Sequence, residues 1–155
     1  MVKAKTLCYS TVLTFIFAVF GGIAVCFGIS ELEQIKNSFS DFPTVIFPIV
    51  WVLLYLLMSF SAAIIYDSSD ESIAKAPRAL FLYVIQLAVS FWWYVLFFGF
   101  RLYAVSFIWL LLLILIVVCM TVLFARINKS AGLIQIFYLA CLFFTAYINA
   151  AILFN

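Results

Sequence analysis

Five apolar stretches, separated by short polar connections, make up almost the whole of this chain. They run from about Thr6 to Ile29, Thr44 to Tyr66, Ala79 to Phe98, Tyr103 to Ala125 and Gly132 to Leu153. A helix needs ~20 apolar residues to cross the hydrocarbon core of a bilayer, so each stretch predicts one membrane span. Between Ala79 and Ala125 the only charge is Arg101. That segment is too long for one span and must fold back, with Gly99 expected to supply the turn and Arg101 to reach the headgroups. The predicted architecture is all-α: a single domain over residues 1–155, an integral membrane bundle of five transmembrane helices.

The second stretch carries the most distinctive pattern. Pro43 and Pro48 mark its first turn, where a missing N–H costs nothing. Pro48, Trp51, Tyr55 and Ser59 then fall on one helix face. In the first stretch the small residues Ala18, Gly22 and Cys26 would let a neighbouring helix approach closely. The first apolar run exceeds the 7–15 residues of a signal-peptide core, so it is expected to remain as a span.

Composition fits this pattern. Of 155 residues, 70% are apolar and 9% charged, with a mean hydropathy of +1.34. Soluble domains carry roughly 45–50% apolar and 25% charged residues. The bilayer is therefore the first partner, and no basic patch suggests nucleic acid. Aromatic residues reach 20%, partly an interfacial belt and partly a hint of ring-lined surfaces. Histidine is absent, and Cys8, Cys26, Cys119 and Cys141 form no C-x-x-C pair. No metal site is expected, and the thiols are expected to be buried and structural. Apart from Arg101 at a turn, no span holds an ionisable Asp, Glu, Lys, Arg or His. That argues against a pump, a proton-coupled carrier or acid–base catalysis, and no catalytic residue is assigned.

The uncharged polar residues fall at helical spacing. Tyr83, Gln86, Ser90, Trp93 and Phe97 share a face of the third span. Tyr138, Cys141, Thr145 and Asn149 share a face of the fifth, with Gln135 one turn before them. The second span adds Trp51 and Tyr55, whereas the fourth offers only Ser106, Trp109 and Thr121. Polar side chains turn away from lipid. The second, third and fifth spans should therefore converge on a shared interior, with the fourth as outer wall. Two readings stay open. The amides and hydroxyls could be interhelical glue worth ~0.6 kcal/mol per bond. Alternatively, Trp51, Tyr55, Gln86, Ser90, Trp93, Tyr138, Cys141, Thr145 and Asn149 could line a site for a flat apolar ligand.

Three motifs resemble those of the translocator protein / tryptophan-rich sensory protein (TspO/MBR) family. They are F-P-x-x-x-F-x-x-V-W-x-x-L-Y-x-x-M-x-x-x-A-A from Phe42, Y-x-x-Q-L-x-x-S-x-x-W-x-x-L-F-F from Tyr83, and A-G-L-I-x-x-x-Y-x-x-x-x-x-F-x-A-Y-I-N from Ala131. With Gly21-Gly22 they cover nearly the whole chain. The resemblance implies a five-helix bundle, commonly a homodimer, that requires no cofactor but binds tetrapyrroles such as protoporphyrin or haem among its helices. Trp51 and Trp93 stand on family tryptophans; Tyr55, Gln86, Tyr138, Tyr147 and Asn149 also fall on motif positions.

Departures narrow what the resemblance implies. Glu31 and Leu32 stand where relatives often have a tryptophan and a tyrosine. Phe42 replaces a proline, Val45 an aromatic and Ser90 an asparagine; Phe137 and Cys141 replace a proline and a tryptophan. Some relatives are thought to degrade porphyrin in light using paired tryptophans. With Cys141 opposite Trp51, that enzymatic activity is not expected. No basic residue follows Tyr147, so sterol binding is not expected either. A membrane module with no small-molecule site is the alternative from a different class.

Lys and Arg set the orientation. The N-terminus, second loop and fourth loop hold six, and the first loop, third loop and C-terminus two. By the positive-inside rule the N-terminus lies in the cytoplasm, in a multi-pass protein of a prokaryotic cell membrane. A Ser38→Cys chain should gain labelling by an impermeant thiol reagent added outside, relative to the parent, whereas Ser69→Cys should not. The opposite pattern inverts the orientation.

Overall fold

A computed structural model describes residues 3–27, 46–68 and 76–154. These form five long helices: α1 (Ala4–Phe27), α2 (Ile46–Asp67), α3 (Ala76–Tyr94, running into a π-helical turn Val95–Gly99), α4 (Tyr103–Ile127) and α5 (Lys129–Phe154). Hydrocarbon offers no partner to a backbone N–H or C=O, so apolar segments of this length close their own bonds as helices. At 25 residues, α4 is ~37 Å long, enough to cross a ~30 Å core with some tilt. All five helices are long and apolar enough to span a membrane. Pro77 occupies the first turn of α3. Pro43, Glu31, Leu32, Ser38, Phe42, Val45 and Ser69 lie outside the described residues, as do the side chains of Pro48 and Cys26.

The helices close a ring in the order α1, α2, α5, α4, α3 and back to α1, with α2 and α3 also touching across it. The expectation that the fourth span is an outer wall therefore fails. α4 buries Ser106, Leu110, Leu113, Ile114, Val117, Met120 and Phe124. Its Trp109 indole N–H donates to the Val89 carbonyl of α3 at 2.9 Å. An almost wholly apolar sequence gives no polar stripe to mark its inward face, so pattern alone underrates it.

The α3–α4 turn also differs from expectation. Gly99 keeps negative φ and sits in the π turn; Arg101 takes the left-handed conformation, at φ 56°. The extra residue of the π turn shifts the reversal downstream. The Phe100 N–H reaches back to the Val95 carbonyl and the Leu102 N–H to the Leu96 carbonyl, at 3.0 and 3.1 Å. These bonds offset the ~1–2 kcal/mol that a left-handed L-residue costs.

Small residues set the close approaches, though not the ones the spacing suggested. Gly22 is exposed with open space around it, whereas a Cβ on Gly21 would meet the Tyr94 ring at 3.0 Å. The inward face of α1 is thus rotated one residue from the expected small-residue line. The thiols depart too: Cys8 and Cys119 are exposed and Cys141 is half-buried. A thiol is apolar enough to face lipid at little cost.

The α4–α5 connection is a single residue, Asn128. Its N–H bonds the Phe124 carbonyl at 2.8 Å, ending α4. Its side-chain Oδ1 accepts from the Ser130 and Ala131 N–H groups, at 3.0 and 3.3 Å, capping α5. So tight a reversal forces backbone against backbone. A Cβ on Gly132 would lie 2.5 Å from Ala125 Cβ and 2.7 Å from its Cα. Gly132→Ala should therefore cost ~1–3 kcal/mol and lower the melting temperature in detergent. Gly99→Ala, whose Cβ meets nothing nearer than Val95 Cγ1 at 3.8 Å, should be nearly silent. Equal effects at the two sites would refute this account of the hairpin.

Candidate functional site

Apolar rings on α2, α3 and α5 must find one another, since burying flat surface is their main source of stabilisation. Trp51 of α2 lies at the centre. Its ring centroid is 6.1 Å from Tyr55 one turn below, 5.9 Å from Tyr94 of α3 and 6.4 Å from Tyr138 of α5. The last two contacts are edge-to-face. The Tyr55 and Tyr94 hydroxyls pair at 3.3 Å. Trp93 extends the cluster, edge-on to Tyr94 at 5.1 Å and stacked on Phe97 at 5.2 Å. Phe97 in turn meets Tyr103 of α4 at 5.3 Å. All of these except Tyr103 are buried.

Around the rings lie amide and indole groups with unmet hydrogen-bonding capacity. Gln86 and Gln135 are fully buried, and neither side-chain atom of either has a partner. Trp93 Nε1 and Asn149 Oδ1 are buried and unpartnered as well. Each orphaned group costs ~1–3 kcal/mol. Gln86 shares a face of α3 with Tyr83 and Trp93, and Gln135 precedes Tyr138 by three residues on α5.

Apart from Cys141, the sequence-predicted residues divide into three groups. Trp51, Tyr55, Trp93 and Tyr138 join one ring cluster. Gln86 and Asn149 are buried polar groups, though Asn149 Nδ2 donates to Ser106 Oγ of α4 at 3.0 Å. Ser90 and Thr145 are buried, but their hydroxyl protons return to carbonyls of their own helices: Ser90 to Leu87 and Thr145 to Cys141, both at 2.8 Å. Short hydroxyls inside helices often bond this way, leaving them only as acceptors toward a ligand. On α5, Tyr138 meets the Trp51 ring edge-on, and Cys141, one turn further along, is half-buried and packs against the same core. Tyr147 and Phe137 are exposed on the outer face of α5.

Three residues were missed. Tyr94 touches Trp51, Trp93, Phe98 and the Tyr55 hydroxyl. Its spacing of four from Ser90 put it on the same stripe, so a signal existed. Ser106 carries no signal beyond its rarity on α4, and the small-residue spacing points to Gly22, whereas it is Gly21 that makes room for the Tyr94 ring.

The arrangement suits a flat, largely apolar ring system. Ring faces would grip its plane, while Gln86 Nε2 and Trp93 Nε1 offer donors, and Gln86 Oε1 and Asn149 Oδ1 amide acceptors, to its edge. Among the described residues no group of acidic or sulfur ligands could hold a metal ion, and the chain has no histidine, the commonest proximal haem ligand. Recognition of such a ligand would rest on its rings and edges.

Known proteins resemble this chain in sequence. A family model described as TspO/MBR matches residues 10–154. The chain is 29% identical to the tryptophan-rich protein TspO of Chlorobaculum tepidum, over 72% of this chain and 70% of that protein. It is 35% identical to the protein CrtK of Rhodobacter capsulatus, over 62% of this chain and 59% of that protein, less than two thirds of the latter's length. With the family pattern extending through all five helices and the aromatic cluster between them, this chain is a multi-pass membrane protein that belongs to the TspO/MBR family.

Proposed function

We propose that this protein binds a tetrapyrrole of the porphyrin type among α2, α3 and α5, acting as a sensor or translocator and not as an enzyme. One observation carries the reading: a buried ring cluster is edged by amide and indole groups left without partners. A planar ligand would insert beside Trp51 by replacing an edge contact with Tyr94 or Tyr138, each worth ~0.5–1.5 kcal/mol, with a larger stacked area. It would also satisfy Gln86, Trp93 and Asn149. Because Cys141 stands where relatives carry the tryptophan paired with that of Trp51, light-driven breakdown of the ligand is not part of the proposal. Both relatives come from bacteria. That supports a prokaryotic cell membrane, with the N-terminus cytoplasmic by the Lys/Arg asymmetry. A homodimer is consistent with the family pattern.

The second reading, a module without a ligand, is favoured by the Asn149–Ser106 bond, which is interhelical glue. Gln86→Leu separates the two. Removing an orphaned buried amide should raise the stability of the protein alone by ~1–3 kcal/mol, while weakening protoporphyrin binding followed by tryptophan quenching. If Gln86 is glue, the same change lowers stability. Trp51→Phe, with less stacking area, should weaken protoporphyrin binding by about two- to tenfold; unchanged affinity would remove the stacking role.

A further inference from the structure

At the end of the bundle that carries the N-terminus, α1, α2 and α3 leave a groove between them. α1 is held to α2 along its first turns. Thr6 donates to Asp67 Oδ1 at 2.9 Å and Ser10 to the Ser59 carbonyl at 2.9 Å, while the Thr11 and Ser59 hydroxyls lie 3.2 Å apart. Further along, α1 meets α3: Thr14 bonds the Tyr83 hydroxyl, Phe20 meets Phe91 edge-on, and Gly21 lies against Tyr94. Before Thr14 the two helices leave a groove of about 520 Å³. That is within the ~300–1,000 Å³ range of small-ligand sites.

The groove is amphipathic in a definite direction. Leu13, Ala62, Leu80 and Val84 line its apolar part. Its outer end carries Lys5, the hydroxyl-bearing Tyr9 and Tyr66, and Thr6. Tyr9 and Tyr66 are exposed, and Lys5 and Asp67 mark this end of the helices as the level where span meets water. The nearby Asp67 carboxylate is engaged by the Lys3 backbone N–H and the Thr6 hydroxyl. Among the described residues lining the groove, Lys5 is the one that carries a charge.

A hollow on the flank of a membrane bundle opens onto acyl chains, and leaving it unfilled forfeits dispersion contacts on both sides. Hydrocarbon supplies the filling; Lys5 supplies the selectivity. We propose that the groove binds one anionic phospholipid of the surrounding leaflet, an acyl chain along Leu13, Ala62, Leu80 and Val84 and the headgroup at Lys5, flanked by Tyr9 and Tyr66. The site is independent of the tetrapyrrole reading. Its consequence is structural control: of the described spans α1 is the least buried, so the bound lipid completes the packing of its first half.

Native mass spectrometry of the full chain in neutral detergent, with equimolar dioleoyl phosphatidylglycerol and dioleoyl phosphatidylcholine, tests this. The wild type should retain one phosphatidylglycerol with about fivefold preference, the factor that one basic residue near an anionic surface is worth. Lys5→Gln should bind the two lipids equally. Val84→Trp, which fills the groove from a partly exposed position, should lose both; Leu80→Phe serves if that variant loses helicity. Equal retention of the two lipids by the wild type overturns the proposal. So does an unchanged preference in Lys5→Gln, or undiminished binding in both groove-filling variants. A lipid-free dimer also overturns it, since the occupant would then be a second copy. Protoporphyrin affinity should be the same in all these variants, so failure of one site is distinguishable from failure of the other.

Discussion

Hydrocarbon forms no hydrogen bonds, and nearly every feature of this bundle is a response to that. The backbone answers by closing into helices, and the side-chain hydroxyls by returning their protons to carbonyls one turn back, as Thr14, Ser90, Thr121 and Thr145 do. Other groups find a neighbouring helix: Ser61 reaches the Ala131 carbonyl, Trp109 the Val89 carbonyl and Asn149 the Ser106 hydroxyl. Against so complete a pairing, the buried amides of Gln86 and Gln135 and the indole N–H of Trp93 stand out. Among the described residues these groups and Asn149 Oδ1 stay open at a cost in stability.

The two ends of the bundle are built on different chemistry. Toward the π turn, flat rings from α2, α3, α4 and α5 pack edge to face, and Gly21 lets α1 lie close against them. Toward the N-terminus, hydroxyl contacts take over, and α1 leans on α2 more than on α3. Short hydrogen bonds fix direction without filling volume, whereas aromatic rings fill volume and impose a shape. The ring-rich end therefore forms a core and the hydroxyl-rich end leaves a groove.

Legibility followed the same division. Five spans and the face bearing Trp51, Tyr55, Gln86 and Trp93 could be read from spacing, because side chains three and four residues apart share a face whatever the helix packs against. Tyr94 was equally readable and was overlooked. The partners were another matter. Spacing puts Tyr138 and Cys141 on one face of α5, and the fold decides that the Tyr138 ring meets Trp51. Gly22 was favoured over Gly21, a difference of one residue and about 100° around the helix.

By itself the sequence determined the class of molecule, the number of crossings and which residue types had to avoid lipid. Transfer from water to hydrocarbon is a local property, summed along each segment. Only the tertiary structure decided the ring order, the inward face of the featureless α4, the left-handed turn at Arg101 in place of Gly99, and which amides remain unpaired. Those outcomes depend on helix rotation and on neighbours distant in the chain. They follow from the fit of one helix surface against another, which no single segment contains.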